Sequence, residues 1–364
     1  TAASFLPIAN PLIINGDMAI SQRSTSVTGI TGNGMTTVDR MSNSVSGIGT
    51  YTVAQEALTS GAAYTDGFST AYRIDCTTAD ASPAAADYLY MQYNMEGQNL
   101  QVFKKGTANA ETFTIAFWVK SNKTGVGSIE LKDKNNSNRQ CTQSYTISVA
   151  DTWEKKICAF GADTTGAFAN ANTKSLNINF WLGSGTNYSS GTANNGTWEA
   201  SAATKVNADG TLDINDNTAN DWAITGIQLE VGTYTSADLP PFRHESYGDN
   251  LLRCQRYYQQ NYRDGLYPGD STTDGGSWTG ALYGTDFLTT FTPWTVRMRT
   301  NPTITWYTRT GTEGSWYAGV YQVSEAVDTM TTSINTPTGW NGTVSNVAAN
   351  TDLAYGYYSS DAEL

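Results

Sequence analysis

Between residues 113 and 119, Phe113, Ile115, Phe117 and Val119 alternate with Thr114, Ala116 and Trp118. This is the period of a β-strand with one face for a core and the other for a second contact. Similar apolar, β-branched or aromatic runs occupy 145–149, 153–160, 176–182 and 222–231, each bounded by Gly, Asn, Asp or Ser. Such runs with such boundaries read as strands joined by polar turns, so the pattern predicts a β-sandwich. The alternation breaks over 249–262, where Leu251, Cys254, Tyr258 and Tyr262 fall on one helical stripe and Asp249 suits an N-terminal turn. One helix is predicted there, after Pro240 and Pro241 stop the preceding strand, with a domain boundary between 245 and 270. Further strands predicted at 294–299, 303–307, 317–323 and 353–358 imply a second, smaller β domain. No repeat of fixed period is visible, which argues against a solenoid or propeller.

Composition agrees with an all-β reading. Only 15% of the 364 residues are charged and 12% are aromatic, which suits short strands and polar turns more than long charged helices. The 33 acidic residues outnumber 21 Lys and Arg, for a formal net charge of -12, so a phosphate backbone would be repelled and nucleic acid is not expected as a partner. No apolar run is long enough for a membrane span, and residues 1–10 lack the basic and apolar regions of a signal peptide. The expectation is a soluble protein that reaches the outside within a lysis-released particle, or one whose signal has been removed. Cys76, Cys141, Cys158 and Cys254 are widely spaced, with no CxxC pair; buried thiols are expected, with two disulfides as the alternative, and no zinc site.

Catalytic signatures are missing. His244 is the single histidine and lies in the linker PPFRHESYG, and there is no GxSxG, HExxH, phosphate loop or GxGxxG. No enzyme activity and no catalytic residue are therefore expected. A glycosidase, which needs only two suitably spaced carboxylates, stays as the enzyme alternative. The run DGTLDINDNTAND over 209–221 places Asp213, Asn215 and Asn217 as a calcium loop would, but Thr218 stands where the glycine belongs and Ile224 where the closing Glu belongs. A turn into the next strand is expected, with no cofactor and calcium as an option. Trp181, Tyr188 and Trp198 lie in or near Gly-rich loops and are the candidate residues for stacking on a glycan or for lining a contact between subunits.

Three blocks resemble tail-fibre and minor structural proteins of tailed bacteriophages. They are NPLIINGDMAISQR (10–23) with VDRM (38–41), FTIAFWVKSNKTG (113–125), and ITGIQLEVG (224–232) with PFRHESYGDNLLRCQRYY (241–258). VRMRTNPTITWY (296–307) and the terminal DAEL resemble a further module of those proteins. The resemblance implies a docking arm at 1–10, a jelly-roll sandwich like carbohydrate-binding modules at 11–245, a linker and helix at 246–264, and a β domain at 265–364. It also implies a homotrimer in the virion, with tail, adaptor or capsid proteins as partners and a host surface glycan as target. A capsid head fibre or decoration protein is the alternative location, and a polysaccharide depolymerase the alternative activity. Met41 stands where the family carries Trp, a core exchange that leaves the fold intact. Only nine residues precede Asn10, so docking is expected through that short arm, the helix or an adaptor.

Overall fold

The computed structural model describes residues 10–272, 276–279, 281–283, 286–288, 291–320, 324–344 and 354–364. The proposed docking arm therefore lies, apart from Asn10, outside the described residues. The chain forms two compact units, one built from residues up to Tyr247 without Gln22–Ser24, the other from Gly248–Glu363 with Gln22–Ser24; Leu364 groups with the first. Described elements are overwhelmingly antiparallel strands, so the fold is all-β.

The first unit is a jelly-roll sandwich of eleven strands: β1 (Ser26–Ile30), β2 (Met41–Ser46), β3 (Thr50–Ala57), β4 (Thr70–Thr78), β5 (Tyr88–Glu96), β6 (Phe113–Lys120), β7 (Gly125–Asp133), β8 (Arg139–Ile147), β9 (Glu154–Phe160), β10 (Lys174–Ser184) and β11 (Asp221–Val231). One sheet runs β1-β3-β4-β11-β6-β9 and the other β2-β5-β10-β7-β8. Phe113, Ile115, Phe117 and Val119 of β6 and Leu176, Ile178, Phe180 and Leu182 of β10 share one core, as the alternation requires. Phe117 sits edge-on to Tyr145 and Phe180, with ring centroids 5.1 Å away in each case.

The sequence blocks at the two ends of this unit meet in space. Asn15, in a left-handed turn, donates from Nδ2 to the carbonyls of Ile20 and Asp39 at 2.9 Å and accepts from the Ile20 amide at 2.9 Å. A Cβ on the neighbouring Gly16 would lie 2.3 Å from the Ile227 carbonyl oxygen, so only glycine lets the INGD turn approach β11. There β11 is bulged between Thr225 and Gln228, with Gly226 at φ 63. Arg40 is fully buried and donates from Nη2 to the Asn94 carbonyl at 2.6 Å, while Met41 is a core residue at 0% exposure.

In the second unit the strand Ala354–Asp361 pairs with Tyr258–Gln260, Ser277–Thr279, Thr303–Tyr307 and Ser315–Val320. Its core holds Trp306, Trp316 and Trp340 in mutual edge-on contact at 4.7 to 6.0 Å. A Cβ at Gly356 would meet Trp316 at 2.3 Å, so glycine makes room for that ring.

Several expected boundaries move. The strand expected at 145–149 is longer and ends earlier, as β8. The helix expected over 249–262 is Tyr247–Gln255. Tyr258 instead opens the strand Tyr258–Gln260, opposite Asp361, because β-prone aromatics beside an available partner strand gain more from pairing than from another helical turn. Residues 294–299 are not a strand. They are irregular, with Trp294 N–H bonded to the Thr338 carbonyl at 3.1 Å and Met298 N–H to that of Pro337 at 2.8 Å, which turns both side chains into the core. The strand expected at 317–323 is Ser315–Val320, and 321–323 lie outside the described residues, as does Leu353 at the start of the strand expected at 353–358.

All four cysteines are buried and none forms a disulfide. Burial pushes the Cys158 thiol up to about 12, against the opposing pull of Lys156, so it stays protonated and unreactive near neutral pH. Native protein treated with iodoacetamide at pH 8 should keep Cys158 unmodified, with labelling appearing on denaturation; mass mapping of alkylated sites checks this. Phe117→Ala should lower the unfolding free energy by about 3–5 kcal/mol, read from the shift of the urea transition.

Candidate functional site

The outward face of the five-stranded sheet carries the most distinctive chemistry. Since Leu89, Met91, Tyr93 and Met95 of β5 point into the core, Tyr88, Tyr90, Gln92 and Asn94 face the other way. The same argument puts Asn177, Asn179 and Trp181 of β10, and Ser128, Glu130 and Lys132 of β7, on that face. Register then aligns them in rows. Trp181 lies between Tyr90 and Ser128, Asn179 between Gln92 and Glu130, and Asn177 between Asn94 and Lys132. Ser42 and Ser44 of β2 extend two of the rows beside Gln92 and Tyr90.

A donor chain converges on Glu130, which is fully buried. Gln92 Nε2 donates to Asn179 Oδ1 at 2.9 Å, and Asn179 Nδ2 donates to Glu130 Oε2 at 2.8 Å. Trp181 Nε1 donates to the same oxygen at 3.2 Å. Lys132 Nζ pairs with Oε1 at 2.6 Å. A buried carboxylate is tolerable only with such partners. In the adjoining row Asn94 Oδ1 and Asn177 Oδ1 are buried with no hydrogen-bond partner among the described residues, so two acceptors remain unsatisfied beside the chain.

At the end of these rows four rings gather. Tyr88 stacks on Tyr90 at 5.4 Å, Tyr90 lies 4.7 Å from Trp181, and Tyr188 lies 5.3 Å from Trp181 and 5.7 Å from Tyr88. Trp181 is the floor, at 3% exposure, and the three tyrosines are half-buried around it. Tyr188 comes from the short helix Thr186–Ser189, in a loop anchored where Ser128 Oγ donates to the Val206 carbonyl at 2.7 Å. Burial pushes the Tyr90 hydroxyl up to about 12, with the Ser44 hydrogen bond pulling the other way; burial also raises that of Tyr188. The Tyr90 and Tyr188 hydroxyls are therefore neutral donors near pH 7.

Of the aromatics singled out in the sequence, Trp181 and Tyr188 come together and Trp198 does not. Trp198 is a core residue: the loop backbone bonds Gly196 to Thr142 and Gly161 at 2.6 and 2.7 Å, turning the ring inward, where Nε1 donates to the Gly161 carbonyl at 2.8 Å. Tyr88, Tyr90, Asn177, Asn179 and Glu130 were not singled out, although the strict alternation of Tyr88-Leu89-Tyr90-Met91-Gln92 signals a strand with an aromatic, polar second face. His244 packs between Phe68 and Phe242, with centroids 5.1 and 4.8 Å away. Residues 209–221 make a turn in which the Asp216 carboxylate is paired with Lys123, so that oxygen is already engaged by a cation; no metal-binding cluster occurs among the described residues.

This geometry defines the class, an antiparallel jelly-roll sandwich with a polar and aromatic outer sheet face. No family model matches the chain and no curated protein matches its sequence. Among solved structures it is similar to the enzymatically active domain of tailspike protein 4 of bacteriophage CBA120, at 12% identity and TM-score 0.30 over 61% of this chain and 21% of that one. The chain thus spans about a fifth of that protein's length. It is also similar to a xylan-binding domain from CBM 22, at 11% identity and TM-score 0.30 over 60% of this chain and 99% of that one. A "putative sugar binding protein" from Bacteroides thetaiotaomicron VPI-5482 gives 13% identity and TM-score 0.30 over 61% of this chain and 100% of that one. Likenesses of this extent assign neither family nor ligand.

Glu130→Ala should cost about 1–3 kcal/mol, because it strands the buried Trp181 and Asn179 donors. Urea unfolding followed by tryptophan fluorescence measures it.

Proposed function

We propose that this chain is a non-catalytic structural protein of a tailed-phage virion, a tail or surface fibre, that contributes to host attachment by holding a surface glycan on the outer face of its five-stranded sheet. The observation that carries the glycan reading is the ring cluster of half-buried Tyr88, Tyr90 and Tyr188 over Trp181, with phenol hydroxyls at the ring tips. Sugar rings offer C–H faces to aromatics and hydroxyls to phenol oxygens, so one ligand class uses both the faces and the tips of these rings.

The virion reading rests on the sequence blocks, two of which dock on each other through Gly16 and the β11 bulge. Homotrimeric assembly and contact with tail, adaptor or capsid proteins belong to the same proposal, with the particle as the site of action.

Binding of the purified full chain to host surface polysaccharides, with Tyr90→Ala and Tyr188→Ala as variants, tests the glycan face. Each variant should weaken binding about tenfold, the loss expected for one ring contact worth about 1.4 kcal/mol. Unchanged affinity in both would remove this face from the proposal. Immunogold on intact particles tests the location: label at the tail supports a tail fibre, label on the head a surface fibre, and unlabelled particles overturn the virion reading.

A further inference from the structure

Lys105 takes no part in the face described above. It follows the 3-10 turn Gln101–Phe103, and its ammonium is completely buried, as is the carboxylate of Asp133 at the end of β7. The two are in direct contact, Nζ to Oδ2 at 2.5 Å. A second carboxylate, Asp163, lies 3.0 Å from the same nitrogen and is gripped by Arg139 through Nε at 2.9 Å and Nη2 at 3.0 Å. The carbonyls of Thr165 and Gly166 accept from Nζ at 3.0 and 2.8 Å. The rings of Trp198 and Phe168, 5.0 and 5.3 Å from Nζ, flank it.

An ion pair deprived of water gains little net stability, because desolvation offsets the attraction. An amide between the same two side chains would keep the tie and remove both charges. Forming one requires an amine held against a carboxyl, a proton relay, donors for the oxygen that becomes negative, and exclusion of water. Each is present. Asp133 Oδ1 accepts from the amides of Asn135 and Asn136 at 2.8 and 3.2 Å, and Oδ2 from Asn136 Nδ2 at 2.8 Å. Burial works to raise the Asp163 carboxyl, but its bonds to Arg139 and Lys105 outweigh this and hold it below the ordinary Asp range, so it starts ionised, and its Oδ2 lies 3.0 Å from Nζ, within reach of a proton.

We propose that, once the chain has folded, Lys105 and Asp133 condense into an intramolecular isopeptide bond, with Asp163 relaying the protons. Asp163 takes one proton from the Lys105 ammonium and passes it to the Asp133 carboxylate. The Nζ lone pair attacks Cγ of Asp133, and the Asn135 and Asn136 amides hold the resulting oxyanion. Asp163 then moves a second proton from Nζ to the Asp133 hydroxyl, which leaves as water as the C=O re-forms. Three N–H hydrogens become one amide N–H and one water, net charge is conserved, and no other reagent is consumed. The product ties the turn after Gln101–Phe103 covalently to the end of β7.

Electrospray mass measurement of the native full chain is the test. The expected mass is one water below that of the sequence, with a tryptic digest containing one branched peptide that joins Lys105 to Asp133. Lys105→Arg keeps the charge but cannot make the bond, so it should show full mass and unfold at lower denaturant than the wild type. Asp163→Asn should also retain full mass. A wild-type chain at full mass overturns the proposal without recourse to any variant. So does a water loss that maps to a succinimide within the Asp133 peptide and leaves Lys105 unmodified.

Discussion

The two-sheet core imposes a period-two division of labour on every strand that crosses it, and the rest of the first unit follows from that division. Along β10, Leu176, Ile178, Phe180 and Leu182 must enter the core, so Asn177, Asn179 and Trp181 have no choice but the other face. The same holds for β5 and β7. Because neighbouring strands are held in register by backbone bonds, the outward residues line up as rows without any further instruction. A slip of one residue between β5 and β10 would put asparagines into the core and leucines outside.

That outer face is unusual in being polar and yet buried. A carboxylate at zero exposure is kept by the Asn179 amide of its own row and by the Trp181 indole and Lys132 ammonium of the rows on either side, while Asn94 and Asn177 leave two acceptors without partners among the described residues. The contrast separates a carboxylate whose burial is offset by its partners from a row whose buried acceptors carry an uncompensated desolvation cost. Half-buried tyrosines at the end of the rows add apolar area with hydroxyls at their tips. The proposed sugar ligand, apolar on its ring faces and polar at its edges, would meet both the faces and the hydroxyls of these rings.

Close approach is the second organising constraint. Gly16 meets β11 where no Cβ would fit, Gly226 makes the bulge that receives it, and Gly356 admits the ring of Trp316. The first two explain why INGD and ITGIQLE, more than two hundred residues apart in number, read as one sequence pattern. Their glycines are steric conditions of a single contact.

Read alone, the chain determined its all-β class, the strands around β6, β9, β10 and β11, and the turn at 209–221, because these depend on local alternation and turn chemistry. Trp181 and Tyr188 were legible as aromatics beside glycine-rich loops. Tertiary structure alone decided that Tyr88 and Tyr90 join them, that Glu130 lies at the end of a donor chain, and that Trp198 turns inward, since each depends on strand register or on loop backbone bonds across long separations. It likewise decided that the helix stops at Gln255: Tyr258 matches the helical stripe in sequence, but the strand that ends at Asp361 offers it a pairing that no local pattern can announce.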